Sequence, residues 1–198
     1  MKSHSQYGED LIYLPLLPAV GRFLEIGAWH PTDKSNSRAL YERGWSGILI
    51  EPSPGPLLNL LNEYSDDPRI QIISAVVAVE PGMVTLQVTD DAVSTADRTQ
   101  YEAWKSVTKF RGMLTVPAIS VNDLFARFGG AFDFISIDTE GTSVNIFAEM
   151  LRVGPRPRVV VCEHDSRFVE LSQYAEQGNY RMIHENGTNR IYEWMGPR

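Results

Sequence analysis

Short apolar segments recur along the chain, and they constrain its fold more than any other feature of the sequence. Four of them are rich in β-branched and aromatic residues, at 23–26, 47–50, 132–137 and 159–162, and a fifth covers 70–77. Each segment is too short for a buried helix, and continuous apolar runs are typical of parallel strands covered on both faces. We therefore predict a central, mostly parallel sheet.

Segments with helical periodicity and capping residues separate these strands. Ser53 is followed by Pro54, which is typical of a helix start, and Ser120 with Asp123 forms a capping box. The predicted helices run from Thr32 or Asp33 to about Arg43, from Ser53 through Tyr64, from Ser120 through Phe128, from about Thr142 to Arg152, and from Arg167 to Gln177. This alternation of strands and helices predicts an α/β fold with a doubly wound sheet.

The C-terminal part of the chain departs from this alternation. Residues 180–184 and 189–194 alternate in polarity and flank Asn186-Gly187. An Asn-Gly pair between alternating runs is a strong hairpin signal. We therefore predict that the sheet ends in an antiparallel hairpin, whereas a plain dinucleotide-binding fold would continue with parallel strands. A further strand is predicted over 83–89.

Size and charge restrict the domain count and the classes of partner. The 198 residues are enough for one domain with a hydrophobic core, so we predict a single domain over 1–198. A formal net charge of −7 argues against a nucleic-acid or anionic-membrane partner. The single cysteine excludes an internal disulfide, and no apolar run approaches the ~20 residues of a spanning helix. With no secretory signal recognised, we predict a cytoplasmic protein.

An acidic residue stands at or just inside the end of each main predicted strand. The six acids are Glu25, Glu51, Asp138, Glu140, Glu163 and Asp165. One such acid alone is more often ordinary loop polarity or a helix cap. In an open α/β sheet, however, ligands bind outside the carboxyl ends of the strands. Because crowded carboxylates repel one another, the set predicts a site that holds hydrogen-bond donors or a cation.

The turn after the first predicted strand indicates the class of ligand. A dinucleotide-binding fold requires G-x-G-x-x-G at this turn, but residues 27–31 contain only Gly27, and Glu25 lies on the strand itself. A carboxylate at this position disfavours a pyrophosphate and favours an ammonium or sulfonium group. Glu51 follows Gly27 at roughly the 20-residue spacing expected of an acid that binds an adenosine ribose. S-adenosylmethionine, a cationic adenosine compound without phosphate, fits this description.

The same regions carry a resemblance to a known family. The matching segments are Ser5–Asp10, Phe23–Ala28, Ser35–Ser37 with Leu40–Glu42 and Gly44-Trp45, Gly47–Pro52, Ser94-Thr95 and Asp133–Gly141. Over roughly residues 5–165 the chain resembles the FkbM family of S-adenosylmethionine-dependent methyltransferases. The resemblance implies a Rossmann-like class I methyltransferase fold, with a mostly parallel seven-stranded sheet and a C-terminal antiparallel hairpin.

The resemblance also implies an activity. Members of the family mostly methylate hydroxyl groups on sugars, glycans or macrolide-like natural products, so we expect a small-molecule or glycan acceptor. Two alternatives are a non-catalytic S-adenosylmethionine-binding module and an NAD-dependent reductase. The near-complete motif set argues against the first, and the missing glycines after Gly27 argue against the second.

Roles for several cofactor-binding residues follow from the resemblance. Gly27 would let the backbone approach the ligand, Glu25 would orient its amino acid part, and Glu51 would accept hydrogen bonds from both ribose hydroxyls. Residues 74–76 would edge the adenine, and Asp138 would lie near the ammonium and the transferred methyl. The N-terminal signature, including Asp10, would either cover the cofactor or cap the first helix. The full predicted set is Gln6, Tyr7, Asp10, Glu25, Gly27, Ala28, Ser37, Glu51, Pro52, Ala75, Val76 and Asp138.

A sugar hydroxyl is a poor nucleophile, so we expect a general base or a metal to assist the reaction. His164 is the first candidate for the base because histidine titrates near neutral pH. Asp138 and Glu140 are the alternatives, and His164 could instead be a loop residue bonded to the backbone. Asp138, Glu140, Glu163 and His164 together could hold Mg²⁺ or Mn²⁺, but a metal is not expected.

The stretch 90–112 is the least regular part of the chain. We predict that 94–112 forms a lid or substrate loop, with the aromatic residues Tyr101, Trp104 and Phe110 suited to a sugar ring. The alternative is an amphipathic helix that packs Tyr101 and Trp104 on the core. Since one domain must supply both the cofactor site and the acceptor site, a homodimer partner is a candidate for completing the site.

Overall fold

Residues 2–197, described by a computed structural model, form ten strands and seven α-helices. The strands are β1 (Arg22–Ile26), β2 (Ser46–Ile50), β3 (Ile70–Ile73), β4 (Val76–Ala78), β5 (Gly82–Thr89), β6 (Phe110–Ser120), β7 (Phe134–Ile137), β8 (Val159–Glu163), β9 (Tyr180–Glu185) and β10 (Asn189–Trp194). The helices are α1 (Glu9–Tyr13), α2 (Arg38–Glu42), α3 (Pro54–Tyr64), α4 (Arg98–Trp104), α5 (Val121–Phe128), α6 (Ser143–Val153) and α7 (Phe168–Gln177), and a 3₁₀ helix covers Leu14–Leu16. Among these described helices, none has the length and apolar character needed to cross a membrane.

Seven strands form the central sheet, in the order β3-β2-β1-β7-β8-β10-β9. The neighbours from β3 to β8 pair in parallel, and β10 pairs antiparallel with both β8 and β9. The predicted mostly parallel seven-stranded sheet and its C-terminal hairpin are therefore confirmed. The prediction of one domain over 1–198 includes Met1 and Arg198, which lie outside the described residues.

Both faces of the central sheet are buried, as the continuous apolar runs predict. Along β1, Phe23 contributes to one apolar cluster and Leu24 to the other, because successive side chains of a strand point to opposite faces. Leu40 of α2 and Leu60 of α3 belong to the Phe23 cluster, whereas Phe147 of α6 belongs to the Leu24 cluster. Because helices cover both faces of the sheet, the carboxyl ends of its strands are where loops can form a site.

A second, three-stranded sheet corrects two expectations. The order is β4-β6-β5, with β5 antiparallel to β6. The predicted strand over 70–77 is divided between the two sheets, and the stretch 90–112 contains α4 and the beginning of β6 instead of an irregular loop. Residues 111–115 of β6 are exposed, and this part of the sequence shows little apolar periodicity. Its strand structure therefore depends on hydrogen bonding to β5.

Helix α2 begins later than the sequence predicts. It starts at Arg38 instead of Thr32 or Asp33. The cause is the buried carboxylate of Glu25, which accepts a hydrogen bond from the backbone N–H of Asn36 at 2.8 Å and one from the Ser37 hydroxyl. These bonds hold residues 35–37 in a loop against the sheet. The other predicted helices lie close to their expected positions, including α5, where Ser120 Oγ accepts from the Asp123 N–H at 3.0 Å.

Candidate active site

A cavity of about 640 Å³ opens where the strands of the central sheet end. Its size is typical of a small-molecule pocket, and its position agrees with the expected site at the carboxyl edge. Nine of the twelve predicted cofactor-binding residues line this cavity. They are Gln6, Tyr7, Gly27, Ala28, Glu51, Pro52, Ala75, Val76 and Asp138.

Gly27 allows the ends of β1 and β7 to approach each other. Its backbone has φ +81°, a left-handed conformation that favours glycine. A Cβ atom at this position would lie 1.6 Å from the carbonyl oxygen of Asp138. The N–H of Asp138 in turn donates to the carbonyl of Ile26 at 2.9 Å. This close approach places Asp138 beside the turn that follows β1.

Glu51 presents a carboxylate of fixed orientation to the cavity. One oxygen accepts from the Trp29 N–H at 3.0 Å, and the other accepts from the Ser53 N–H at 2.7 Å. Burial raises the pKa of Glu51, and these two hydrogen bonds oppose the rise. Since a carboxylate has about four acceptor sites, Glu51 can accept further hydrogen bonds from a ligand's hydroxyl groups.

Three carboxylates form an acidic cluster elsewhere on the cavity wall: Asp138, Glu140 and Glu163. Each offers an oxygen, and the three oxygens lie within 4.8 Å of one another. Glu163 accepts from the Glu140 N–H at 3.1 Å and from the Ser143 hydroxyl at 2.9 Å. Burial and the repulsion between neighbouring carboxylates raise the pKa of all three. The acidic cluster therefore favours a bound cation or bound protons.

Glu140 is held by two residues of the predicted lid. Gln100 Nε2 donates to Glu140 Oε2 at 3.0 Å, and Thr95 Oγ1 donates to the Glu140 carbonyl at 2.7 Å. Glu140 has φ +55°, and Trp29 and Lys34, which also line the cavity, have positive φ as well. Strained left-handed residues of this kind cluster at functional sites.

The 94–112 segment lies partly over the cavity. Trp104 lines the cavity together with Ser94, whereas the ring of Tyr101 packs edge-on against Phe110 with 4.8 Å between centroids. Helix α4 has no buried residue, so it does not pack Tyr101 and Trp104 into the core as the amphipathic alternative requires. The segment thus forms part of the cavity wall, and its role as a lid or substrate loop stays a prediction.

His164 does not line the cavity. Its Nδ1 accepts from the Ser166 N–H at 3.1 Å, and its ring lies 4.2 Å from the ring of Phe168. The preceding residue, Glu163, does line the cavity, and neighbouring side chains of an extended segment point in opposite directions. This arrangement agrees with the alternative interpretation, in which His164 is a loop residue bonded to the backbone. Its contacts give no support for a role as general base.

Three predicted cofactor residues also lie behind the cavity wall. Glu25 and Ser37 bond to each other, and burial raises the pKa of Glu25 to about 7. Asp10 accepts from the Ser3 hydroxyl at 2.6 Å and from the His4 N–H at 2.8 Å, which closes the N-terminal turn. These carboxylates shape the loops that carry the cavity lining without reaching the cavity themselves.

The cavity also contains residues that the sequence did not indicate. Gln100 lies within the predicted lid but was not itself named as a site residue, and Gly187 and Thr188 come from the tip of the hairpin. The Asn-Gly signal predicted the hairpin, but a local turn signal carries no information about which distant segment the turn contacts. Lys34 lines the cavity next to Trp29, 5.3 Å from its ring centroid.

The raised pKa values predict a ligand-free protein that is more stable at acidic than at alkaline pH. Unfolded glutamate ionises near pH 4.3, whereas Glu25 in the folded protein ionises at about 7. Between these values the folded state binds more protons, so the free energy of unfolding falls as the pH rises. For Glu25 alone the loss is about 3 kcal/mol. We expect Tm, measured by calorimetry, to fall by roughly 10 °C between pH 5 and pH 8.5.

Glu163→Gln provides the matched variant for this pH series. It removes one charge from the acidic cluster and keeps an oxygen for the Ser143 hydroxyl, so its Tm should depend less on pH. Glu149→Gln alters a partly buried carboxylate that lies outside the acidic cluster and pairs with Arg152, and it should keep the wild-type profile. A wild-type Tm that rises between pH 5 and pH 8.5 would contradict the prediction.

Comparison with known proteins identifies the family. Residues 25–183 match the family model described as the methyltransferase FkbM domain. No match to a curated protein sequence was found.

Several solved structures share the fold. They include the fibrillarin pre-rRNA processing protein of Methanococcus jannaschii, with 12% identity, a TM-score of 0.52 and coverage of 98% of this chain and 76% of that chain. The putative methyltransferase yhhF of Escherichia coli has 10% identity, a TM-score of 0.52 and coverage of 98% and 87%. Precorrin-6y C5,15-methyltransferase of Geobacter metallireducens has 11% identity, a TM-score of 0.50 and coverage of 99% and 92%. At these identities the similarity shows a class I methyltransferase fold.

Proposed function

This chain belongs to the methyltransferase FkbM domain family, and we propose that it methylates a hydroxyl group of a sugar, glycan or related natural product with S-adenosylmethionine. The observation that carries the proposal is the distribution of carboxylates along one cavity. Glu51 offers oriented acceptors at one place, and the acidic cluster offers concentrated negative charge at another. A ligand with two neighbouring hydroxyls could bond to Glu51, and a cationic group on the same ligand could lie against the acidic cluster.

The residues that line the cavity fit the cofactor. Glu51 would accept hydrogen bonds from the ribose hydroxyls, and the apolar side chains of Val76, Val77 and Leu86 would border the adenine. Asp138 and the rest of the acidic cluster would face the ammonium and sulfonium charges. When bound, S-adenosylmethionine supplies a methyl group activated by its positive sulfur.

Asp138 and Glu140 are the proposed general bases. Both line the cavity, and the positive charge of the bound cofactor would keep them ionised, so either could accept a proton from an acceptor hydroxyl. Gln100 holds the Glu140 carboxylate in one orientation, so a proton taken from the acceptor hydroxyl would go to a fixed position. His164 is left out of this proposal because it does not line the cavity.

The acceptor would approach from the side of α4. Trp104 offers a partly exposed aromatic face, and Gln100 and Ser94 offer polar groups for hydroxyls. The oxygens of the acidic cluster are also close enough to coordinate a divalent metal, but we expect the cofactor's cationic group to occupy that position. The homodimer and the cytoplasmic location stay predictions.

Calorimetric titration with the natural cofactor tests the proposal most directly. We expect the wild-type protein to bind S-adenosylmethionine and S-adenosylhomocysteine, and to bind no NADH. A bound cation lowers the raised pKa values of the acidic cluster, so binding should release protons and the observed enthalpy should change with the ionisation enthalpy of the buffer. Absence of binding by the wild-type protein would overturn the proposal.

Turnover then separates an enzyme from a non-catalytic binding module. Mass spectrometry of single-turnover mixtures with hydroxyl-bearing sugars should show a product heavier by one methylene unit. Matched amine acceptors serve as the control for the O-methyl assignment. Binding of the cofactor without transfer to any acceptor of the panel would favour the binding module.

A further inference from the structure

Two segments that are distant in sequence form one part of the cavity wall. Gln6 and Tyr7 precede α1, and Gly187 and Thr188 lie at the tip of the β9–β10 hairpin, and all four residues line the cavity. Glu9, the first residue of α1, has an exposed fraction of 0%. Its carboxylate joins the two segments.

The Glu9 carboxylate is held by uncharged donors from both segments. One oxygen accepts from the side-chain amides of Asn186 at 2.8 Å and Asn189 at 2.9 Å. The other oxygen accepts from the Tyr7 N–H at 2.8 Å. We refer to Glu9, Asn186 and Asn189 as the Glu9 cluster. Hydrogen bonds to an ionised carboxylate are stronger and more directional than neutral ones, so the Glu9 cluster fixes the distance between the two segments.

The hairpin tip depends on the same residues for its shape. Asn186 Oδ1 accepts from the N–H groups of Thr188 at 2.9 Å and Asn189 at 2.8 Å. The Thr188 carbonyl accepts from the His164 N–H at 3.0 Å, and His164 directly follows Glu163 of the acidic cluster. A shift of the hairpin tip would therefore change the wall beside the proposed cofactor site.

We propose that Glu9 is a positioning residue, which holds the N-terminal segment and the hairpin tip together as a wall over the bound cofactor. The Glu9 cluster thereby sets how fast the cofactor leaves the cavity. The proposal rests on the proposed function insofar as S-adenosylmethionine is the ligand. Glu9 itself does not line the cavity, so its effect on the ligand passes through Gln6, Tyr7 and the hairpin tip.

Glu9→Gln is the most direct test. The new amide group must face either the two asparagine amides or the Tyr7 N–H, so at least one hydrogen bond becomes a contact between two donors. We expect the dissociation rate of S-adenosylmethionine, followed by stopped-flow tryptophan fluorescence, to rise about 10–100-fold. The association rate should change less than about threefold. Glu149→Gln, at a partly buried carboxylate of α6 that pairs with Arg152, is the control.

A rescue variant separates positioning from general support of the fold. In the double variant Glu9→Gln/Asn189→Asp, the glutamine amide donates to the new carboxylate while the Asn186 amide still lacks its acceptor, so the dissociation rate should fall at least about threefold below that of Glu9→Gln without reaching the wild-type value. Asn186→Ala, at a half-buried position, keeps the Glu9 carboxylate but removes one of its donors and the acceptor of the Thr188 and Asn189 N–H groups, so it should fold and also raise the dissociation rate. Dissociation rates equal to the wild type in both single variants would overturn the proposal.

Hydrogen exchange tests the Glu9 cluster without any ligand. In the Glu9→Gln protein, the amides of Tyr7, Thr188 and Asn189 should exchange about tenfold faster, while those of β1 keep their wild-type rates. A uniform increase over the whole chain would assign Glu9 to global stability and overturn the proposal. If the wild-type protein binds no S-adenosylmethionine, the proposed function fails, and the exchange rates still decide whether Glu9 couples the two segments.

Discussion

Glu51→Gln is expected to weaken the binding of S-adenosylmethionine about 100-fold. The wild-type carboxylate is only 5% exposed, and the N–H groups of Trp29 and Ser53 orient both of its oxygens. Glutamine keeps the shape but replaces one acceptor by a donor, which faces a backbone N–H and no longer accepts from a ribose hydroxyl. Hydrogen bonds to a charged group contribute about 1.5–3 kcal/mol each, and about 1.4 kcal/mol corresponds to a factor of ten in affinity.

Calorimetry with both S-adenosylmethionine and S-adenosylhomocysteine checks this expectation. Both compounds carry the same ribose, so the loss of affinity should be similar for the two. Glu63→Gln, at a surface carboxylate bonded to Arg38, should bind both compounds like the wild type. An unchanged affinity in the Glu51→Gln protein would remove Glu51 from the cofactor site.

Gly27→Ala is expected to destabilise the protein by about 3 kcal/mol or more and to abolish cofactor binding. The added Cβ would stand 1.6 Å from the Asp138 carbonyl, and the residue would also have to adopt φ +81°. Overpacking costs about 1–3 kcal/mol, and a left-handed backbone costs an L-residue roughly a further 1–2 kcal/mol. Relief of the clash requires β1 and β7 to separate at their carboxyl ends, which displaces Asp138 from the cavity wall.

Thermal unfolding should show this as a fall in Tm of roughly 10 °C. Gly55→Ala is the matched control because a Cβ at Gly55, in α3, would meet no atom within 4 Å. That substitution should leave Tm unchanged or raise it, since alanine loses less backbone entropy in a helix. Equal Tm values for the Gly27→Ala and Gly55→Ala proteins would show that the close approach at Asp138 has no energetic importance.

Much of the cavity wall could be predicted from the sequence because it depends on backbone position. Gly27, Glu51 and Asp138 follow strand ends, and the carboxyl ends of parallel strands meet at one edge of a sheet. Side-chain direction was harder to predict. Glu25 lies within β1, and its carboxylate turns away from the cavity to bond the loop before α2, whereas Glu163 at the end of β8 lines the cavity. Glu25 and Glu163 lie on the same face of the sheet, since Glu25 pairs through Ser136 with Val161, but Glu25 is two residues further from the carboxyl edge. His164, one residue after Glu163, points to the opposite side.

The contribution of distant segments could not be read from local patterns. Gln100 bonds Glu140, and Glu9 bonds Asn186 and Asn189 across almost the full length of the chain. Each of these residue types is common on protein surfaces, so none carries a signal in the sequence. The strand β6 was missed for a related reason, since its exposed half is stabilised by pairing with β5.

The sequence by itself determined the sheet, its closing hairpin and the chemistry of the strand ends, because these follow from local periodicity, turn residues and the order of elements. The tertiary structure alone decided which acids share a cavity and which serve as buried supports. The physical reason is that the stability of a buried carboxylate depends on the donors and charges within a few ångströms of it. Those neighbours come from segments that only the folded chain brings together, as the acidic cluster and the Glu9 cluster show.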